Sequence, residues 1–127
     1  MLYQITSDAK HQIILTSSKR KIYLDPRQIL DENYIFISHL HGDHYFGLPG
    51  FLNSMGLLQR EHDLHLFAPA PLREILDLQF KAANTILPYP LHFHPLEKDG
   101  LLVRNDRFQV ECFATKHRVE CYGFRFQ

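Results

Sequence analysis

The sequence has no excess of charge of either sign: 14 Lys plus Arg stand against 14 Asp plus Glu in 127 residues, a formal net charge of zero. Proteins that grip nucleic acid usually present a basic surface, because phosphate neutralisation supplies much of their affinity. Composition by itself therefore lends no support to an RNA or DNA ligand. No apolar run approaches the roughly 20 residues that a membrane helix needs, and Met1-Leu2-Tyr3-Gln4 does not begin a signal peptide. The expectation is a soluble, cytoplasmic protein with no membrane partner. Cysteine is scarce: Cys112 and Cys121 stand alone, outside any Cys-x-x-Cys pair. They are read as reduced thiols, near each other on paired strands and without assigned chemistry. No repeat or low-complexity linker interrupts the chain, and 127 residues bury one modest core, so 1–127 reads as a single domain.

Against this plain background stands His39-Leu40-His41-Gly42-Asp43-His44, delivered by the apolar run Tyr34-Ile35-Phe36-Ile37-Ser38. In an extended segment His39 and His41 point the same way, so two imidazoles can grip one metal ion. Gly42 permits a sharp turn that turns Asp43 and His44 toward a second position. A histidine-rich turn is often only solvated surface, but four metal-capable side chains in six residues at a strand end favour a metal site. The spacing suits a pair of ions, since after the Gly42 turn Asp43 and His44 face a second position a few ångströms from the one that His39 and His41 share. Mixed imidazole and carboxylate donors fit Zn2+ best, with Mn2+ or Fe2+ as alternatives.

Around this motif the periodicities predict alternating strands and helices. Residues 12–17 and 21–25 read as a hairpin about the polar turn 18–20. Leu48, Phe51, Leu52, Met55 and Leu58 fall at helical spacing, with Pro49 tolerated in the first turn. A short strand follows at 63–67 and a second amphipathic helix at 71–84, then strands near 101–103, 108–112 and 122–126. His62, His65, His92 and His94 are read as surface or supporting histidines in polar, turn-bounded segments, not as ligands.

The histidine stretch resembles the signature of the metallo-β-lactamase superfamily. The longer run through Tyr45-Phe46-Gly47-Leu48-Pro49-Gly50-Phe51-Leu52 is similar to the ribonuclease Z family, endonucleases that trim the 3′ trailer of precursor tRNA. Thr115-Lys116-His117-Arg118-Val119-Glu120-Cys121-Tyr122-Gly123-Phe124 resembles that family's third motif, a histidine followed by an aromatic-glycine-aromatic strand. Before residue 34 the pattern departs: Asp25 is followed by Pro26-Arg27-Gln28, where the family has a glycine-rich turn and a helix.

The resemblance implies an α/β fold, one βαβ-rich half of an αββα sandwich, with a mixed sheet, helices on one face and the other face left exposed. It implies that His39, His41 and His117 hold one zinc and Asp43 and His44 a second, with Asp43 also the general base. Precursor tRNA is the implied partner and a homodimer the implied assembly. The family's bridging aspartate, a further histidine ligand and the proton-donating histidine would fall beyond Gln127, so these residues match the front half of the site. A non-catalytic metal-binding or partner-binding protein is the alternative, and another hydrolase of the superfamily is a weaker one. For the cysteines, thiol titration is expected to find two free sulfhydryls after denaturation and few before. A quantitative disulfide in fresh protein would contradict a reducing compartment.

Overall fold

The computed structural model of the chain describes residues 2–6, 13–17, 32–41, 45, 47–104, 109–116 and 118–127. Its middle strand is β3 (Glu32–Phe36). Ile35, Phe36 and Ile37 are fully buried although consecutive strand residues point to opposite faces, so both faces of this strand are covered. β4 (Leu64–Pro69) lies parallel to β3, and β5 (Leu91–Leu96) lies parallel to β4. On the other side β2 (Ile13–Ser17) runs parallel to β3, and β1 (Leu2–Thr6) runs antiparallel to β2. The result is a mixed five-stranded sheet in the order β1-β2-β3-β4-β5.

Parallel neighbours need a crossover, usually helical. Those from β3 to β4 and from β4 to β5 are α1 (Leu48–Leu57) and α2 (Pro71–Ala82), each with proline in the first turn, where its missing N–H costs nothing. Leu48, Leu52 and Met55 of α1 and Leu72 and Leu76 of α2 meet Ile35, Ile37, Leu64, Leu66 and Ala68 in one apolar layer. Two polar groups seal it. Tyr89 donates its hydroxyl to Leu52 O at 2.6 Å, and burial pushes that hydroxyl's pKa up to about 12. Arg60, only 1% exposed, donates to His62 O and Asp63 O and lies over the Tyr89 ring. A buried guanidinium is tolerated when its donors find acceptors, and here they tie down the link into β4.

A second sheet is formed by β6 (Gly100–Arg104), β7 (Gln109–Ala114) and β8 (Tyr122–Phe126), all antiparallel. Val110, Cys112 and Tyr122 pack on Phe36, Phe67 and Leu96, and the Phe124 ring lies 5.2 Å from that of Phe36. The layers are thus helix, sheet, sheet.

This corrects in part the expectation that the far face of the large sheet is exposed: the chain's own C-terminal strands cover its Phe36, Phe67 and Leu96 end, while Tyr34, His65 and His94 on the same face stay half-buried and His92 exposed. The expected hairpin of 12–17 with 21–25 is also replaced. β2 has β1 on one edge and β3 on the other, which leaves no edge for such a partner, and 21–25 lie outside the described residues. Both cysteines are free, Cys112 buried and Cys121 half-buried.

Phe36→Ala removes a ring that both sheets share, and a buried Phe→Ala change costs about 3–5 kcal/mol. Urea unfolding is expected to show a much lowered midpoint for Phe36→Ala. Leu78→Ala, at a side chain 68% exposed on α2, is expected to stay within about 0.5 kcal/mol of the parent.

Candidate metal centre

β3 does not release its chain at Phe36. Ile37 N–H still donates to Phe67 O at 2.8 Å, so the backbone leaves the sheet only at Ser38 and carries His39 to the sheet's rim. His39 is 6% exposed, an unusual burial for an imidazole, while Leu40 anchors the next residue by packing on the helix layer. The rings of His39 and His41 come together edge to face with centroids 5.0 Å apart. Both are therefore at the C-terminal end of the central parallel strand, where open α/β sheets place their ligands.

Two further residues converge on His39 from its inner side. Ser38 Oγ lies 2.8 Å and Cys121 Sγ 3.6 Å from His39 Nδ1. Cys121 arrives because β8 is stitched to the end of β3: Tyr122 N–H donates to Ser38 O, and Thr115 N–H donates to Cys121 O, both at 2.9 Å. These bonds pin both ends of the 115–121 turn beside the histidine pair. Reasoning from the sequence assigned Cys121 no chemistry. The signal was its place immediately before the aromatic-glycine-aromatic strand, which makes it the first residue of β8's approach to the site.

Of the five candidate ligands, the structure brings His39 and His41 together. Asp43, His44 and His117 lie outside the described residues, and among the described residues no group of three or more His, Cys, Asp or Glu is arranged to hold a metal ion. The two described histidines fit a divalent cation. Imidazole suits such ions, and the engaged Nδ1 of His39 is the outer contact that a ligating histidine needs to hold its ring in place.

The remaining described histidines occupy different ground. His62 lies in an exposed bend before β4, whereas His65 is in β4 and His92 and His94 are in β5, with His92 opposite His65 and His94 opposite Phe67. His65 Nδ1 and His94 Nε2 share a hydrogen bond at 2.9 Å, His92 Nε2 bonds Asp63 Oδ2 at 2.9 Å, and the His65 ring stacks on that of His92 at 4.8 Å. Burial holds the pKa of His65 and His94 below the ordinary imidazole range, and the neighbouring imidazoles add to the effect. Nearly parallel stacked rings do not aim their nitrogens at a common point, so these histidines satisfy one another. Tyr34 stands opposite His65 and Phe36 opposite Phe67, which sets His65 and His92 about five residues, roughly 15 Å, and His94 about three residues, roughly 10 Å, back along β3 from His39.

The metallo-β-lactamase superfamily model matches residues 6–117 of the chain. Ribonuclease Z of Ligilactobacillus salivarius is 38% identical over 128 residues, 99% of this chain and 38% of that protein. Ribonuclease Z of Lactiplantibacillus plantarum is 35% identical, again over 99% of this chain and 38% of the relative. The chain thus spans about two fifths of the length of these curated relatives. Among solved structures, human tRNase Z, short form, superposes with a TM-score of 0.80 at 22% identity, covering 99% of this chain and 57% of that one. YhfI of Bacillus subtilis, a metallo-β-lactamase fold protein, superposes with a TM-score of 0.67 at 17% identity. With the family pattern running through most of its residues and the histidine pair at the rim of the expected sheet, the chain belongs to the metallo-β-lactamase superfamily.

Proposed function

We propose that this chain carries the front half of the metal centre of a ribonuclease Z-like endoribonuclease that removes the 3′ trailer of precursor tRNA. The observation that carries the reading is the meeting of His39 and His41 at the end of β3, with Cys121 beside His39. In this reading His39, His41 and His117 hold one Zn2+, and Asp43 and His44 contribute to a second, with Mn2+ or Fe2+ as substitutes. Bound there, divalent cations supply Lewis acidity toward a phosphodiester. The chain's own part is to place imidazoles on a rigid strand end and to offer the Asp43 carboxylate as the base that takes the proton of an attacking water.

Support for the substrate comes from the ribonuclease Z relatives, not from charge, since the chain is neutral overall. A single domain over 1–127, a cytoplasmic location and a homodimer belong to the same reading by resemblance. No helix among the described residues is long and apolar enough to cross a membrane. The argument for a homodimer is weakened, because the apolar part of the sheet face expected to drive self-association, Phe36, Phe67 and Leu96, is covered by β7 and β8. A second reading, a metal-binding protein without turnover, is favoured by the ligand inventory: Asp43 and His44 are only two donors for a second ion, and two donors hold an ion weakly.

Two outcomes are expected. In elemental analysis the parent protein carries zinc, His39→Ala with His41→Ala loses it, and His92→Ala with His94→Ala keeps it, since the latter pair is engaged with His65 and Asp63. Equal loss in both double variants would overturn the ligand assignment. With excess zinc or manganese the 127-residue chain is expected to cleave precursor tRNA or a small phosphodiester poorly or not at all. A weakly held second ion withdraws part of the Lewis-acid assistance on which such turnover depends. Robust turnover abolished by Asp43→Ala would show that a second copy or another residue completes the set.

A further inference from the structure

A neutral imidazole presents a lone pair on only one nitrogen, and a side chain that ligates through Nε2 must keep its proton on Nδ1. In water a histidine side chain prefers the opposite arrangement, with the proton on Nε2. A ligating histidine therefore gains from an acceptor fixed at Nδ1, which sets both the tautomer and the ring's orientation. At His39 two such groups are in place, from two different elements. Ser38 Oγ at 2.8 Å comes from the same strand end, and Cys121 Sγ at 3.6 Å comes from the approach to β8. The backbone bond from Tyr122 to Ser38 O holds the two elements at this spacing.

We propose that Ser38 and Cys121 are positioning residues for the metal centre: Ser38 Oγ accepts the Nδ1 proton of His39, Cys121 Sγ backs the ring, and Nε2 is thereby turned toward a divalent cation. The inference rests on His39 being a ligand. The division of labour follows from the atoms. A hydroxyl oxygen at 2.8 Å is a full hydrogen-bond acceptor, whereas a thiol sulfur at 3.6 Å is a weak one that chiefly fills space behind the ring. Because Cys121 ends the 115–121 turn, it also couples the placement of that turn to the orientation of His39.

The test reads the ring with and without metal. In isotope-labelled, metal-free protein at a pH well above the imidazole range, long-range nitrogen–proton correlations report the His39 tautomer, its signals assigned by their absence in His39→Gln. The parent is expected to show His39 with Nδ1 protonated, Ser38→Ala a shift toward the Nε2-protonated form, and Ser38→Thr a return to the parent pattern. Zinc affinity, measured by competition with a chromogenic chelator, is expected to fall about 10- to 100-fold in Ser38→Ala, the usual cost of losing an outer contact of a ligand, and to recover in Ser38→Thr. Cys121→Ala should lose less than Ser38→Ala and keep the tautomer. The cobalt-loaded parent should lack a thiolate-to-metal absorption band. A parent with His39 protonated at Nε2, or Ser38→Ala with tautomer and affinity both unchanged, overturns the proposal. A strong thiolate band overturns the role given to Cys121 by making it a ligand. A parent with the expected tautomer but no zinc affinity instead removes the metal reading on which the proposal stands.

Discussion

A strand whose consecutive side chains are all apolar, as Ile35, Phe36 and Ile37 are, has to be covered from both sides. That demand on β3 organises the molecule. Ile35 and Ile37 call for the helices, which arrive as parallel crossovers, and Phe36 calls for the second sheet. Once both layers are in place the strand is immobilised along its length, and the residues just past its end inherit that rigidity. His39 is therefore held by backbone pairing and packing on two fronts before any ligand is considered, which is the foundation that a pre-arranged site needs.

The second sheet contributes more than cover. Because Tyr122 bonds to Ser38 O, the start of β8 is fixed to the rim where β3 ends, and the 115–121 turn is closed against the same point by Thr115. One set of backbone bonds thus joins two stretches about 80 residues apart. The far end of the sheet is chemically different: there His65, His92, His94 and Asp63 consume one another's hydrogen-bonding capacity. Two histidine-rich regions on one sheet are kept apart by strand direction, with His65, His92 and His94 within β4 and β5 and the His39–His41 pair just past the end of β3.

Much of this was legible in the sequence. Helical spacing located α1 and α2, because their buried stripes are regular and proline marks each first turn. The His-x-His after an apolar run located the meeting of His39 and His41 at the end of β3, because strand geometry alone brings two such rings together. The misses have physical causes. Leu2–Thr6 carries an ordinary strand pattern, but its partner could not be chosen by local reading, since β2 prefers β1 and β3 over its nearest downstream neighbour. The stretch around His92 and His94 read only as a polar, turn-bounded segment, and the strand there depends on cross-strand pairing with His65 and Phe67. Cys121 was invisible as a neighbour of His39 because that contact depends on tertiary docking over 82 positions.

The aromatic-glycine-aromatic stretch at Tyr122-Gly123-Phe124 has a consequence for how the family's third motif can vary. Gly123 is not among the residues of positive φ, so its backbone would accept any side chain. What forbids one is the ring opposite: Phe113 pairs with Gly123 across β7 and β8, and a Cβ at 123 would come within 2.5 Å of two of its ring atoms. The glycine marks a slot that the facing aromatic has already filled. Residues 113 and 123 thus divide a single volume between them, and a larger residue at 123 becomes tolerable where 113 is small or where its half-exposed ring swings out toward solvent. Position 123 is thereby governed by its partner across the sheet and not by the chemistry of the histidines nearby.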